Sequence, residues 1–270
     1  MSGSRAADAW VSGAAYEPYV GRWSRLVARE FLSWLAVPPG RRWLDVGCGT
    51  GVLSGMVLAM GSPAQVDAVD RSEGYVAFAR EQVRDPRARF GVADAQALPS
   101  EATAYDAVVS GLVLNFVPEP PRAVAEMRRV ARPGGAVAAY VWDYAEGMEL
   151  MRHFWDAAVA LDPAARALDE GRRFPLCRPE PLAGLFRSAG LDAVETCAID
   201  VPTVFRDFDD YWSPFLGGQG PAPGYAMALP EDGRAALRDR IRARLPVEPD
   251  GSIRLTARAW AVRGLRADGR

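Results

Sequence analysis

At 270 residues, with 49% hydrophobic and 24% charged side chains, the chain has room for one large globular domain, or one domain carrying sizeable insertions. All 32 basic residues are arginine, which excludes a phosphate-loop lysine and Schiff-base chemistry, and the single histidine, His153, disfavours poly-histidine metal sites and a Ser-His-Asp hydrolase. The net charge of -2 argues against a nucleic-acid partner held by a broad basic face, and three widely spaced cysteines, Cys48, Cys177 and Cys197, indicate neither a disulfide framework nor a zinc site.

The first twenty residues lack periodicity, but Tyr16, Tyr19 and Trp23 make the stretch around them rich in aromatics. A helix follows with Val27, Phe31, Trp34 and Leu35 on one stripe, ending at Pro38, Pro39 and Gly40. The start, Met1 through Ala6, has no apolar signal core, and no run approaches the roughly 18 apolar residues of a spanning helix, so a cytoplasmic protein without a membrane span is expected.

From residue 41 strands and helices alternate, the pattern of a parallel sheet covered on both faces. Strands are predicted at 42–46, 65–70, 89–93, 106–110 and 136–142, with the clearest helices at 75–84 and 121–131. The Arg132, Pro133, Gly134, Gly135 turn is expected to end the second of these helices, because proline cannot continue it and glycine supplies the reversal. In such sheets ligands bind beyond the carboxyl ends of the strands, so the residues just after each strand carry the site.

The stretch that organises the chain is 44–51, Leu-Asp-Val-Gly-Cys-Gly-Thr-Gly, where an apolar strand runs into glycines at alternate positions and a helical pattern begins at once. Glycine there lets the backbone turn sharply and a ligand approach with no Cβ in the way, and the helix start beyond offers unpaired N–H groups. An acid, Asp70, ends the next strand, at the offset where nucleoside-binding folds grip ribose hydroxyls.

Asp45, Gly47, Gly49 and Gly51 in this pattern resemble the first motif of the class I S-adenosylmethionine-dependent methyltransferases, and differ from the Gly-x-Gly-x-x-Gly of dehydrogenases because position 52 is valine. The runs 105–118 and 126–135 are similar to the same family, closest to its ubiquinone/menaquinone-biosynthesis-type small-molecule members. The resemblance implies a Rossmann-like, doubly wound α/β fold with a seven-stranded, mostly parallel sheet, a reversed last strand and helices on both faces. It implies S-adenosylmethionine as cofactor, S-adenosylhomocysteine as product, and methyl transfer to a small-molecule or peptide acceptor in specialised-metabolite or quinone biosynthesis.

Carried over residue by residue, the cofactor would meet Asp45, Gly47, Cys48, Gly49, Gly51, Asp70, Arg71, Ala93, Asp94, Ala95, Ser110 and Gly111, with Tyr16 and Trp23 folding over it. Asp70 would accept from both ribose hydroxyls, Arg71 would lie against the adenine and Asp94 would pair with its amino group. The lesser alternative for Asp94 is a solvated or capping acid of its loop, and Tyr16, Tyr19 and Trp23 can equally just cover the sheet. Asn115 stands where relatives often carry histidine; an amide takes no proton at neutral pH, which counts against a general base there. Substrate contacts are expected from Asn115, Trp142, Tyr144 and Trp212, and a base, where the acceptor requires one, from His153 or Tyr19. A lone histidine on a mixed helix face is also the ordinary structural case. A protein that binds the cofactor without methyl transfer, as a sensor or a rearrangement catalyst, is the alternative.

Beyond Trp142 the alternation stops. A helix with Met151, Trp155 and Val159 in register, a turn-rich connection, a helix at 181–189 and a strand at 191–199 are predicted. A strand at 256–264 is expected to complete the sheet as its reversed edge. The chain therefore reads as a single domain: an N-terminal cover at 1–40, a cofactor-binding core at 41–142, and substrate-cap insertions at 143–180 and 200–252. The second insertion opens with Phe205, Phe208, Tyr211, Trp212, Phe215 and Tyr225 around a glycine-rich joint, which suits either a lid over an apolar substrate or a cluster pinning a long loop.

Overall fold

The computed structural model describes residues 21–217 and 220–268. In chain order its helices and strands are α1 (Arg22–Leu35), β1 (Arg42–Val46), α2 (Val52–Met60), β2 (Gln65–Asp70), α3 (Glu73–Gln82), β3 (Ala88–Val92), β4 (Tyr105–Gly111), α4 (Pro120–Val130), β5 (Ala131–Trp142), α5 (Glu149–Leu161), α6 (Glu170–Arg173), α7 (Pro179–Ser188), β6 (Leu191–Phe205), α8 (Phe208–Trp212), α9 (Pro221–Ala228), α10 (Glu231–Arg242) and β7 (Ile253–Arg266). The chain separates into two compact units. Of the described residues, one unit, the sheet unit, comprises 24–142, 175–199 and 259–268; the other comprises 21–23, 143–174, 200–217 and 220–258.

The seven strands are ordered β3-β2-β1-β4-β5-β7-β6. β1 runs parallel to β2 and β4, β5 runs parallel to β4, and β7 is antiparallel to β5. One face packs Leu44, Val46, Val108, Val137, Ala139 and Val141 against Val124 and Met127 of α4 and Leu182 and Phe186 of α7. On α4 the buried positions Ala123, Val124, Met127 and Val130 follow helical spacing, and a proline at its start costs no hydrogen bond because that N–H has no intrahelical partner. Each such large side chain, once covered, contributes about 1.5–3 kcal/mol. On the opposite face Tyr140 of β5 packs against Phe31 of α1 at 4.7 Å between ring centroids.

The alternation and the reversed last strand are as the sequence predicts, with three differences. β7 lies between β5 and β6, so β6 holds the edge. The burial pattern explains it: Ala257, Ala259, Ala261 and Val262 of β7 are fully covered, whereas most of 192–198 in β6 is not, and only an edge strand tolerates that exposure. The 132–135 turn is taken up inside β5: Tyr105 pairs with Ala131 but Ala107 with Ala136, so Pro133, which has no N–H for the ladder, and Gly134 sit in a bulge. β6 continues to Phe205 because Ile199, Val201, Thr203 and Phe205 alternate with exposed residues, and the second insertion begins only after it.

In the other unit, the aromatic surplus forms a core. Phe154 of α5 stacks on Phe215 at 4.6 Å, Trp155 meets Tyr225 at 5.7 Å, and Tyr211 lies against both Phe205 and Phe215. The Tyr211 hydroxyl donates to the Leu150 carbonyl at 2.9 Å, so its one polar group is satisfied in the interior. This is the pinning cluster of the two sequence readings; of the glycine joint, Gly218 and Gln219 lie outside the described residues. Arg152 forks onto Asp169 with contacts of 2.5 and 3.0 Å, and the Trp155 indole donates to Glu170. Glu170 is 2% exposed, and burial pushes its carboxyl up to about 8.

Candidate functional site

At the exit of β1 the Gly47 and Cys48 N–H groups both donate to the Val69 carbonyl of β2, at 2.7 and 2.9 Å, which folds the chain back over the neighbouring strand. Gly47 has φ +76°, and a Cβ there would sit 2.6 Å from the Val113 side chain, so the turn after β4 packs directly onto the bend. Gly49, at φ +51°, differs: nothing lies within 4 Å of where its Cβ would be. The bend therefore has one wall that requires glycine for packing and one that keeps space open. Gly51 leads into α2 with no side-chain cap, leaving first-turn N–H groups for a ligand.

Asp70, the last residue of β2, ties this loop down: one carboxylate oxygen accepts from Gly49 N–H at 3.0 Å and the other from Ser72 N–H at 2.8 Å. Ser72 also caps α3 by accepting from Tyr75 N–H at 3.3 Å. Each carboxylate oxygen keeps a second lone pair for hydroxyl donors.

Asp45 is 1% exposed. Its Oδ2 accepts from the Ser54 hydroxyl of α2 at 2.7 Å, while its Oδ1, equally buried, has no partner among the described residues. Burial, with the Asp70 charge adding to it, pushes this carboxyl up to about 7 against the pull of Ser54. The same burial, and the charges of Asp45 and Asp70, push the Cys48 thiol well above its ordinary range, which makes it an inert wall rather than a nucleophile.

Further along the carboxyl edge, Ser110 spends its hydroxyl on the Val46 carbonyl at 2.8 Å, stitching β4 to β1. A Cβ at Gly111 would strike the Tyr140 hydroxyl at 2.5 Å. Asp94 is exposed and closes its own turn, accepting from Gln96 N–H at 2.9 Å; that bond and one from the Gln96 side chain hold the carboxyl below its ordinary value. Ala93 and Ala95 flank it half-buried, and Arg71 is exposed with its charge felt at Asp94.

Of the residues singled out from the sequence, the sheet unit brings together Asp45, Gly47, Cys48, Gly49, Gly51, Asp70, Arg71, Ala93, Asp94, Ala95, Ser110, Gly111, Asn115 and Trp142. Trp23, Tyr144, His153 and Trp212 belong to the other unit. There Trp23 lies edge-on to Phe205, Tyr144 is 5.9 Å from Phe174, and Trp212 stacks along Phe208 at 6.4 Å. His153 is half-buried, and burial lowers its basicity against the pull of Glu149 and Asp156. Tyr16 and Tyr19 lie outside the described residues. Sequence reasoning missed Ser54, whose hydroxyl in an otherwise apolar α2 was the available signal, and Val113, whose contact with Gly47 no local pattern announces.

A sheet in this order, with a glycine bend after β1 and acids ending β2 and lining β1, has the Rossmann-like architecture of class I methyltransferases. Residues 44–139 match the family model described as a methyltransferase domain, and the chain carries that domain there. The malonyl-[acyl-carrier protein] O-methyltransferase of Serratia marcescens is 34% identical over 134 residues, 50% of this chain and 48% of that protein. The demethylmenaquinone methyltransferase of Renibacterium salmoninarum is 40% identical over 114 residues, 42% of this chain and 45% of that one. The chain thus spans about half the length of these curated relatives. Among solved structures, the YcgJ protein of Bacillus subtilis shares the fold, with a TM-score of 0.60 at 17% identity over 90% of this chain and 100% of that one.

The residues at the bend fit S-adenosylmethionine. An orphaned, buried carboxylate oxygen on Asp45 calls for a cationic donor such as the cofactor's ammonium, the open side of Gly49 admits a ligand against the backbone, and the uncapped start of α2 suits a carboxylate.

Proposed function

We propose that the chain binds S-adenosylmethionine at the carboxyl edge of β1, β2 and β4 and transfers its methyl group to a small or medium organic acceptor, in specialised-metabolite or quinone biosynthesis. The observation that carries this reading is the buried Asp45 carboxyl with one oxygen left unpaired beside the glycine bend. When bound, the cofactor supplies a methyl group already activated by the sulfonium. Asp45 would hold the amino-acid end, Asp70 the ribose, and the bend would keep the backbone close enough to exclude water. A base is needed only where the acceptor's proton must leave; His153 and Tyr19 are the candidates, and loss of turnover in His153→Gln with unchanged cofactor affinity is the test of the first.

The sequence relationship to a malonyl-[acyl-carrier protein] O-methyltransferase and a demethylmenaquinone methyltransferase supports a small-molecule or carrier-bound acceptor. Recognition of that acceptor is assigned to the insertions at 143–180 and 206–252, with 1–40 as a cover, because these lie outside the matched domain at 44–139. A reducing, cytoplasmic setting is supported by Cys48, Cys177 and Cys197, all free thiols.

Calorimetry with S-adenosylhomocysteine tests the donor reading: micromolar binding with no response to NAD is expected, and its loss in Asp70→Ala. Mass spectrometry of candidate acceptors incubated with labelled cofactor tests transfer. Binding without any methylated product over a broad panel would favour a cofactor-binding protein that does not transfer.

A further inference from the structure

Ser54 is the one polar side chain in α2, and it is fully buried. A covered hydroxyl costs free energy unless it is hydrogen-bonded. Ser54 Oγ meets that need outside its own helix, donating to Asp45 Oδ2 of β1 at 2.7 Å. The Ser54 backbone N–H acts on the same carboxyl, so one residue in the first turn of α2 grips Asp45 twice.

The other carboxylate oxygen, Oδ1, is buried without a partner among the described residues. Along β1 Asp45 is in register with Ala68 of β2 and Val109 of β4, and neither side chain can hydrogen-bond. The titratable groups coupled to Asp45 are Asp70, at the end of β2, and the Cys48 thiol in the bend. Burial keeps that thiol uncharged, so the charge Asp45 meets there is that of Asp70, of its own sign. Burial and that charge both favour the acid form, and Ser54 opposes them.

A serine hydroxyl has one proton, and Ser54 gives it to Oδ2. In the acid form of Asp45 a second proton on Oδ2 would meet that donor head-on, so it sits on Oδ1. Oδ1 is then an O–H donor beside the glycine bend, and an ammonium brought to it sets donor against donor. With the proton gone, Oδ1 offers its lone pairs to the ammonium in a charge-assisted hydrogen bond, while Ser54 still holds Oδ2. The hydroxyl thus decides which oxygen changes character.

We propose that Ser54 is a positioning residue of the donor site: by holding Asp45 Oδ2 it directs the proton of the acid form to Oδ1, and the ammonium of a bound nucleoside amino acid takes that proton's place as it leaves to solvent. The inference rests on the donor-binding reading and adds to it a proton count and a residue that sets it. Binding then releases one proton wherever the free carboxyl is still protonated, and affinity rises with pH until it is not. A ligand that keeps the nucleoside but lacks the amino-acid end is indifferent to both. Ser54 touches no ligand on this account and acts through Asp45 alone.

The test is calorimetry of the full chain at pH 6, 7 and 8, in pairs of buffers that differ in ionisation enthalpy. S-adenosylhomocysteine is one probe, and 5′-methylthioadenosine, which has no amino-acid end, is the other. With the carboxyl at about 7 in the free chain, nearly one proton should be released by S-adenosylhomocysteine at pH 6 and none by 5′-methylthioadenosine or in Asp45→Asn. Ser54→Ala, taken to raise the carboxyl by about one further unit, should weaken S-adenosylhomocysteine about tenfold at pH 6 and less than about threefold at pH 8. It should leave 5′-methylthioadenosine affinity within about twofold, a control for the fold of the loop. Ser54→Cys, a weaker donor of similar shape, should fall between, and Ser54→Thr should restore the parent profile. No proton released at pH 6, a Ser54→Ala loss equal at pH 6 and 8, or an equal loss for 5′-methylthioadenosine would each overturn the assignment. Failure of S-adenosylhomocysteine to bind the parent at any of these pH values would instead sink the underlying donor reading.

Discussion

Asp45→Asn is expected to make the ligand-free protein more stable and its donor site weaker, with both effects growing as pH rises. In the folded chain burial, reinforced by the Asp70 charge, lifts this carboxyl from 3.8 to about 7. Its folded value exceeds the unfolded one, so between the two the folded state holds the extra proton. The contribution to stability is complete below about pH 4 and is lost as pH climbs through about 7. At about 1.4 kcal/mol per pH unit, the full loss is about 4 kcal/mol. Asparagine has no charge to desolvate and can still meet the Ser54 hydroxyl, at a cost of about 1 kcal/mol for the weaker hydrogen bond. The variant should therefore be about 1 kcal/mol less stable than the parent near pH 4 and exceed it by about 3 kcal/mol near pH 8, the latter corresponding to about 6–12 °C in Tm for a chain of this size. Differential scanning calorimetry of both ligand-free proteins at about pH 4.5, 6 and 8 measures the gap, and titration with S-adenosylhomocysteine at the same pH values should show at least a tenfold loss of affinity at the highest. A gap that does not change with pH, or a variant less stable than the parent at pH 8, would refute the reasoning, because neither can arise from removing a buried charge.

The two glycines of the bend should separate packing from access. Gly47→Ala sets a methyl 2.6 Å from Val113 and should lower stability by about 2–3 kcal/mol in urea denaturation, whereas Gly49→Ala meets open space and should cost about 1 kcal/mol of backbone strain while abolishing S-adenosylhomocysteine binding. Arg152→Met leaves Asp169, 6% exposed, without its forked partner, and a loss of about 3 kcal/mol is expected; an unchanged midpoint would show that water replaces the arginine. Glu170→Gln should leave Tm unaltered near pH 4 and raise it near pH 8 and above, since the parent carboxyl, raised to about 8, loses stability across that window.

Much of the donor side was readable in one dimension, because its signals are short-range. Glycines at 47, 49 and 51 after an apolar strand announce a bend whatever packs on it, the acid at 70 ends a strand at a characteristic distance, and the helical and strand periods around them depend on neighbouring residues alone. Even where the prediction of the 132–135 turn met a strand, the proline and glycine kept their local meaning as a bulge. Tertiary structure decided what these groups do to one another. That Ser54 occupies one oxygen of Asp45 and nothing occupies the other, that Asp70 holds Gly49 in place, and that Val113 is the reason position 47 cannot carry a side chain follow from contacts across separate elements. Strand order is of the same kind: β7 sits inside β6 because its covered residues need neighbours on both sides, a comparison between two strands and not a property of either. A residue type sets which hydrogen bonds, charges and volumes are available. Only the packed chain sets which of them are met, and at Asp45 it leaves one carboxylate oxygen unmet beside the glycine bend, where the proposed cofactor would bind.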